Sequence, residues 1–371
     1  MNLTLRIRQQ CIKTRSASFE AATRLMRRLR RHILRAWYKL IVLLVASIIG
    51  LAGVPVLAGS ESLEDANAAY DRGDYATATR IFGSHAAQGD SEAQLKIGGM
   101  YHLGKGVPKN YVEAIKWYRL AAGQGQAIAQ TILGVMYAAG EGGIPQDNAA
   151  AVKWFRLAAK QGLALAQSRI GNMYYGGRGV PHDYAEALKW YRLAAAQGDA
   201  GGQVMLGTMY HAGEGVPQDY VEALKWYRLA ADQGFSLAQF NIGAMYDFGQ
   251  GMRQDHAEAV KWYRMAAEQG DAQAQYNLGL SYGNGEGVPQ DYVQAHKWLN
   301  LAGRAAPGIR PASDTKLREQ ALTSRDIVTA KMTAAQINEA TEMAEEWKPQ
   351  IQACPPNDAL GHVSNLFCDD L

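Results

Sequence analysis

Cysteine is scarce in this sequence, with three residues in a chain of 371. So few cysteines exclude a small domain that depends on a dense set of disulfides for its stability. Glycine (39 residues) and proline (11 residues) are also too few for a collagen-like chain. Hydrophobic residues make up 48% of the composition, which excludes a mainly disordered protein and suffices for a large core.

Excess positive charge is absent from most of the chain, although the formal net charge is +3. Residues 1–39 hold eleven of the 38 Lys and Arg residues and a single acid, Glu20. The remainder has 27 basic and 34 acidic residues, so the body of the protein is acidic. An acidic body argues against a broad nucleic-acid-binding surface, and we expect no nucleic-acid partner.

The basic N-terminal segment precedes fourteen uncharged, mostly apolar residues, 40–53. The small-residue pattern Val56-Leu57-Ala58 follows. This layout is typical of a secretory signal peptide over residues 1–58, cleaved after Ala58. An uncleaved membrane anchor is the alternative, since extension to Gly59 reaches the roughly 20 residues of a span. Translation from Met26 instead of Met1 would leave fourteen residues before Leu40. Either way, we expect the body to be exported to the periplasm, to face it from the inner membrane, or to be secreted.

Two of the cysteines, Cys354 and Cys368, lie in the C-terminal tail, residues 349–371. In an oxidising compartment they can close a fifteen-residue loop, which the chain-entropy model values at about 3 kcal/mol. A metal site is the alternative, but His362 would bring the number of ligands only to three. We therefore predict a disulfide.

One unit recurs through the body of the chain. Six tryptophans mark it at intervals of 37, 36, 36, 36 and 36 residues: Trp117, Trp154, Trp190, Trp226, Trp262 and Trp298. A fixed period of this length predicts stacked helical hairpins. In the first unit, helix A is predicted over 90–103 and ends at Gly104. Helix B follows Val107-Pro108, begins at Asn110 with Glu113 as a capping-box partner, and ends at Gln124-Gly125.

These phrases, A-Q-x-x-[LI]-G-x-M-Y and GEGVPQDYVEALKWYRLAADQG, resemble those of Sel1-like repeat proteins, a branch of the tetratricopeptide-like α-solenoids. The resemblance covers six units, residues 90–306. Residues 59–89 resemble a tetratricopeptide-like capping hairpin, and residues 307–348 resemble helices that close such repeats. The resemblance implies an all-α, right-handed solenoid of about seven hairpins. It also implies a non-enzymatic protein-interaction scaffold, with helix A lining the concave surface.

One side of helix A changes from unit to unit, whereas the opposite side repeats. For example, Lys96 is replaced by Ile132, Arg169, Met205, Asn241 and Asn277 in successive units. We predict that the changing side binds a protein or peptide partner. The candidate residues are Glu92, Leu95, Lys96, Ile128, Ile132, Val135, Leu165, Arg169, Asn172, Met205, Thr208, Leu237, Phe240, Asn241, Phe248, Gln273, Tyr276 and Asn277.

We predict no catalytic residue, cofactor or metal. The sequence has no H-E-x-x-H motif, and His102 and His211 share a repeat position three units apart. Lys116 and Arg119 begin a basic row on the B helices, which Glu113 and its equivalents partly neutralise. The leading hypothesis is an adaptor of the bacterial cell envelope. The alternatives are a secreted host-interaction factor and, less favoured, an envelope hydrolase acting on peptidoglycan.

Overall fold

The computed structural model describes residues 61–304 and 315–350. These ranges contain sixteen α-helices and no strand. The predicted signal or anchor and the predicted Cys354–Cys368 disulfide lie outside the described residues. None of the described helices combines the length and the hydropathy that a bilayer span requires.

The helices follow one another with short connections. Their bounds are α1 Leu63–Asp71, α2 Tyr75–Ala87, α3 Ser91–Leu103, α4 Tyr111–Gly123, α5 Ala127–Ala139, α6 Asn148–Lys160, α7 Ala164–Tyr175, α8 Tyr184–Ala196, α9 Ala200–Ala212, α10 Tyr220–Ala231, α11 Ser236–Phe248, α12 His256–Glu268, α13 Ala272–Asn284, α14 Tyr292–Gly303, α15 Thr315–Thr329 and α16 Ala334–Glu346. The odd-numbered helices α3 to α13 are the A helices of units one to six, and the even-numbered helices α4 to α14 are the B helices.

Local chemistry sets the helix ends where the repeat phrase predicts them. Helix α3 ends before Gly104, whose φ of 72° is a left-handed conformation that favours glycine. Helix α4 begins after Asn110, whose side chain accepts hydrogen bonds from the backbone N–H of Val112 and Glu113. The Glu113 carboxylate pairs with Lys116. The aspartate that precedes α6, Asp147, caps its helix although the unit lacks this glutamate.

Each A helix contacts its B helix at a glycine. A Cβ atom on Gly98 would lie 2.8 Å from the ring of Tyr118, which is fully buried. The same relation joins Gly171 to Tyr191 and Gly243 to Tyr263. These glycines allow close helix approach, because the ring occupies the space that a side chain would need.

Polar side chains join each unit to the next. The buried Gln130 donates to the carbonyl of Ala122 at 3.1 Å and accepts from Gln161 at 2.8 Å, so it links two successive B helices. On the surface, Arg119 Nη2 donates to the hydroxyl of Tyr137 at 3.0 Å. Equivalent glutamine and arginine contacts recur along the chain. The predicted all-α solenoid of helical hairpins is confirmed.

Two helix pairs flank the six units. Helices α1 and α2 pack their apolar faces against α3, with Phe82 and Met100 in one core cluster. At the other end, α15 and α16 both contact α14. The ring centroids of Trp298 and Trp347 lie 6.4 Å apart, and the N–H of Gln350 donates to the carbonyl of Glu268. These pairs cover the stacking faces that the terminal units would otherwise expose.

Candidate functional site: the outward side of the A helices

We call the second, sixth, ninth and thirteenth positions of the A helices the A surface. Helix α7 has twelve residues, so its thirteenth position is Gly176, which follows the helix. These positions are separated by four, three and four residues, so they form one line along a helix. In α11 the line comprises Leu237, Asn241, Ala244 and Phe248. Leu237 is 41% exposed and Phe248 is 69% exposed, which makes this the most open apolar part of the A surface.

Three of the predicted binding residues are not on an accessible surface. Leu95, Ile132 and Leu165 are 3%, 2% and 5% exposed, and they belong to one apolar cluster that spans the first three units. The prediction that these three side chains are accessible to a partner is wrong. Apolar side chains on neighbouring A helices pack against each other here, so these positions can vary in sequence and still be interior.

The ninth position of helix A is matched to a buried ring on helix B. Asn172 Oδ1 accepts from the hydroxyl of Tyr191 at 2.7 Å, and Thr208 Oγ1 accepts from the hydroxyl of Tyr227 at 3.2 Å. In unit two, Val135 packs into the cluster that contains Phe155, a ring without a hydroxyl. In units two to four the residue at this position therefore matches the polarity of the B-helix ring, whereas units one and five have Gly99 and Ala244 although their ring is also a tyrosine.

The first unit departs from this pairing. Glycine stands at position 99, and the hydroxyl of the fully buried Tyr118 has no hydrogen-bond partner among the described residues. Burial raises the pKa of Tyr118, and it also raises the pKa of Tyr227, to about 12. Both tyrosines are therefore neutral hydroxyls at physiological pH.

The twelfth position of helix A contacts the loop of the following unit. The carboxylate of Glu214 accepts from Tyr175 at 2.7 Å and from Tyr184 at 3.0 Å. His211 Nε2 lies 2.8 Å from Gln250 Oε1. These pairs were not predicted from the sequence, although the 39-residue separation of Tyr175 from Glu214 and of His211 from Gln250 is a signal that could have identified them.

The remaining predicted residues lie on or beside the A surface with differing exposure. Glu92 is exposed, and Lys96 is half-buried with a pKa that burial lowers. The ring of Phe240 lies 5.9 Å from that of Tyr263, so Phe240 is partly a packing residue. The other half-buried candidates are Ile128, Val135, Arg169, Met205, Asn241, Gln273, Tyr276 and Asn277.

The B helices present the predicted basic row. Lys189, Lys225 and Lys261 each pair with a glutamate three residues earlier, at 3.3, 2.7 and 2.7 Å. The expectation that part of this charge is neutralised on the helix surface is confirmed. Such exposed pairs contribute little to stability, because water solvates both charges on the helix surface.

One serine lies in a nucleophile motif that was not predicted from the sequence. Residues 279–283 match the pattern G-x-S-x-G. Ser281 lies inside α13, is 8% exposed and donates to the carbonyl of Asn277 at 3.0 Å. The nucleophile elbow of hydrolases is instead a sharp turn between a strand and a helix. Within residues 61–304 and 315–350, no three His, Cys, Asp or Glu side chains are grouped as metal ligands.

Comparison with known proteins identifies the repeat. The Sel1 repeat family model matches six consecutive segments: 91–126, 127–163, 164–199, 200–235, 236–271 and 272–306. A search of curated proteins finds no match.

Among solved structures, a Sel1 repeat protein from Oxalobacter formigenes is 36% identical, with a TM-score of 0.61 over 65% of this chain and 98% of its own. A protective antigen with an SLR fold, present in uropathogenic Escherichia coli strains, is 27% identical over 79% of this chain and 85% of its own, with a TM-score of 0.42. An immunity protein from Pseudomonas aeruginosa is 20% identical over 58% and 74%, with a TM-score of 0.35. The six contiguous matches cover more than half of the sequence, and the chain therefore belongs to the Sel1 repeat family.

Proposed function

We propose that this protein is a non-enzymatic adaptor of the bacterial cell envelope that holds a protein or peptide partner along its A surface. Sel1 repeat proteins are generally protein-interaction scaffolds. The observation that carries the proposal is the contrast between a constant frame and a changing surface. The glycine–ring contacts and the glutamine links recur from unit to unit, whereas the accessible side chains of the A surface differ in each unit.

Units five and six supply the part of the A surface that best suits a partner. Leu237 and Phe248 lie on one line of α11, eleven residues apart, and provide two apolar anchors. Asn241 lies between them, and Asn277 occupies the same position of the next unit. Exposed apolar anchors with amides between them favour an extended or helical peptide that inserts a few apolar side chains.

The compartment in this proposal is supported by the N-terminal segment. A basic region, an apolar stretch over residues 40–53 and the small residue Ala58 form the layout of an export signal. The exported polypeptide is expected to begin at Gly59 and to carry the Cys354–Cys368 disulfide. Intact-mass measurement of the protein recovered from the envelope tests both points, and a fully reduced chain that still begins at its start methionine would contradict them.

Matched leucine substitutions test the A surface. Leu237 in α11 and Leu229 in α10 are 41% and 47% exposed, but they lie on an A helix and a B helix. A photo-crosslinking amino acid at position 237 or 248 should give a discrete adduct in intact cells, and the same group at 229 should not. Leu237→Asp should then abolish the adduct formed from position 248, whereas Leu229→Asp should leave it unchanged.

The controls separate binding from folding. Both aspartate variants should keep the wild-type helicity and urea midpoint, because both leucines are already largely hydrated. Ile132 is unsuitable for this test, because an aspartate there would enter the core. Adducts of equal yield from positions 229 and 248, or an adduct at 248 that survives Leu237→Asp, would contradict the proposal.

A further inference from the structure

The B helices carry a second apolar row, which lies outside the A surface. Leu120, Leu157, Leu193, Leu229 and Met265 occupy the same position in units one to five. Their exposed fractions are 51%, 48%, 44%, 47% and 44%. The equivalent residue of unit six, Leu301, is 7% exposed. The same position is therefore open in five units and covered in the sixth.

In unit six, helix α16 covers Leu301. Leu301 and Trp298 share a core cluster with Ala344, and Trp347 packs against it. Arg304 Nη1 donates to the carbonyl of Ala344 at 3.2 Å, in the last turn of α16. A cation is favoured at this end of a helix because the helix dipole is negative there.

Helix α16 has small buried residues on one face and acidic residues on its exposed surface. Ala340 and Ala344 are buried four residues apart, and Trp347 continues the same face. The sequence of α16 contains no Lys or Arg, and its four glutamates are exposed: Glu339, Glu342, Glu345 and Glu346. It is an acidic amphipathic helix whose small residues allow close approach to the B helix.

Unit two has the same pattern of residue types as the segment of α14 that α16 covers. Lys153, Trp154, Leu157 and Lys160 have the spacing of Lys297, Trp298, Leu301 and Arg304. The last of these positions distinguishes unit two from the other open units, where it is occupied by Gly123, Ala196, Asp232 and Glu268.

The B helix of unit two, α6, is also the most basic of the six B helices. Helix α6 contains Lys153, Arg156 and Lys160 and no acid. Ala150 stands where four of the other B helices have a glutamate, so Lys153 lacks the intrahelical ion pair formed in those units. Lys153 and Lys160 are both exposed beside the exposed Leu157.

We propose that α6 is a docking site for an acidic amphipathic helix of a partner protein, which binds as α16 binds α14. The partner helix places two small residues, four apart, and an aromatic residue over Trp154 and Leu157. Its C-terminal turn lies against Lys160, and its acidic flanks face Lys153 and Arg156. Charge complementarity and the intramolecular example in unit six select this occupant.

A peptide with the sequence of residues 333–348 is the probe, because it carries this chemistry. Its binding to the full exported chain is measured by fluorescence anisotropy at low and at physiological salt. Saturable binding is expected, weakened about tenfold by Leu157→Asp and about tenfold by Lys153→Glu combined with Lys160→Glu. Leu193→Asp is the matched control, since Leu193 is equally exposed but has Ala196 in place of the second lysine. This variant should bind as the wild type does.

Two further measurements complete the test. A peptide in which the four glutamates are replaced by glutamine should bind more weakly at low salt and show less salt dependence. Each protein variant should retain the wild-type circular dichroism and urea midpoint. Absence of saturable binding, or equal losses from Leu157→Asp and Leu193→Asp, would overturn the proposal. A dimer of the wild-type chain without peptide, lost in Leu157→Asp, would also overturn it, because the occupant would then be a second copy.

Discussion

The pairing between the ninth residue of helix A and the buried ring of helix B leads to a quantitative prediction at Asn172. Its amide oxygen is the acceptor for the hydroxyl of Tyr191, a residue with no exposed surface. Replacing Asn172 by valine leaves that hydroxyl buried without a partner. We expect this change to lower the free energy of unfolding by about 1–3 kcal/mol.

A second substitution, Tyr191→Phe, should recover much of the free energy of unfolding that Asn172→Val loses. Valine opposite phenylalanine is the natural pair of unit two, formed by Val135 and Phe155. Adding Tyr191→Phe to Asn172→Val removes the unpaired hydroxyl. The double variant should therefore be more stable than Asn172→Val alone, with a coupling energy of about 1–2 kcal/mol between the two sites. Tyr191→Phe alone should cost about 1 kcal/mol, because it removes one hydrogen bond.

Unit one provides the control, because the hydroxyl of Tyr118 has no described partner. Tyr118→Phe should leave stability unchanged or raise it by up to about 1 kcal/mol. Urea unfolding followed by circular dichroism measures all five proteins, and an unchanged slope shows that the extent of unfolding is the same. A zero coupling energy at the 172–191 pair would refute the reasoning. A loss in Tyr118→Phe equal to that in Tyr191→Phe would refute it as well.

Two other stability predictions follow from the A helices. Gly171→Ala should destabilise the fold by about 1–3 kcal/mol, because the new Cβ would lie 2.6 Å from the Tyr191 ring. Gly283→Ala should be neutral or stabilising, because the atom nearest to its new Cβ would be 3.6 Å away. Equal urea midpoints for the two variants would contradict this prediction. Burial raises the pKa of Asp271 from 3.8 to about 6, so its contribution to stability is full below 3.8 and is lost as the pH rises through 6. Asp271→Asn should be more stable than the wild type at pH 7.5, by at most about 3 kcal/mol, and the difference should vanish near pH 4 in parallel urea titrations.

The fold was largely predictable because its determinants are local and repeated. Gly104 and Asn110 set the limits of the first hairpin, and both act through backbone conformation or a cap within a few residues. Repetition in six units makes each such signal stand out against chance. The glycine at position 98 was also identifiable, because glycine recurs at this position of helix A in all six units, and such repetition indicates a close approach by a neighbouring element.

The candidate site was less predictable, because variation among units has more than one cause. Ile132 and Leu165 vary in sequence yet lie between neighbouring A helices, a contact that the periodicity of a single helix does not reveal. Asn172 accepts a hydrogen bond from Tyr191, a coupling that joins residues nineteen positions apart. The hydroxyl of Tyr175 donates a hydrogen bond to the carboxylate of Glu214 in the next unit, 39 positions away.

The accessible part of the A surface is therefore narrower than the set of variable positions from which the binding side was predicted. Once the interior and paired residues are removed, the freest side chains are Leu237 and Phe248 in unit five, with Asn241 between them. None of these three positions keeps one residue type through the six units, although Leu165 repeats the leucine and Asn277 repeats the asparagine. Phe248 gains little from folding, because 69% of its surface stays exposed to water in the native state. Partner binding is the process that would bury Phe248, and this is why position 248 is the most informative place for the crosslinking group.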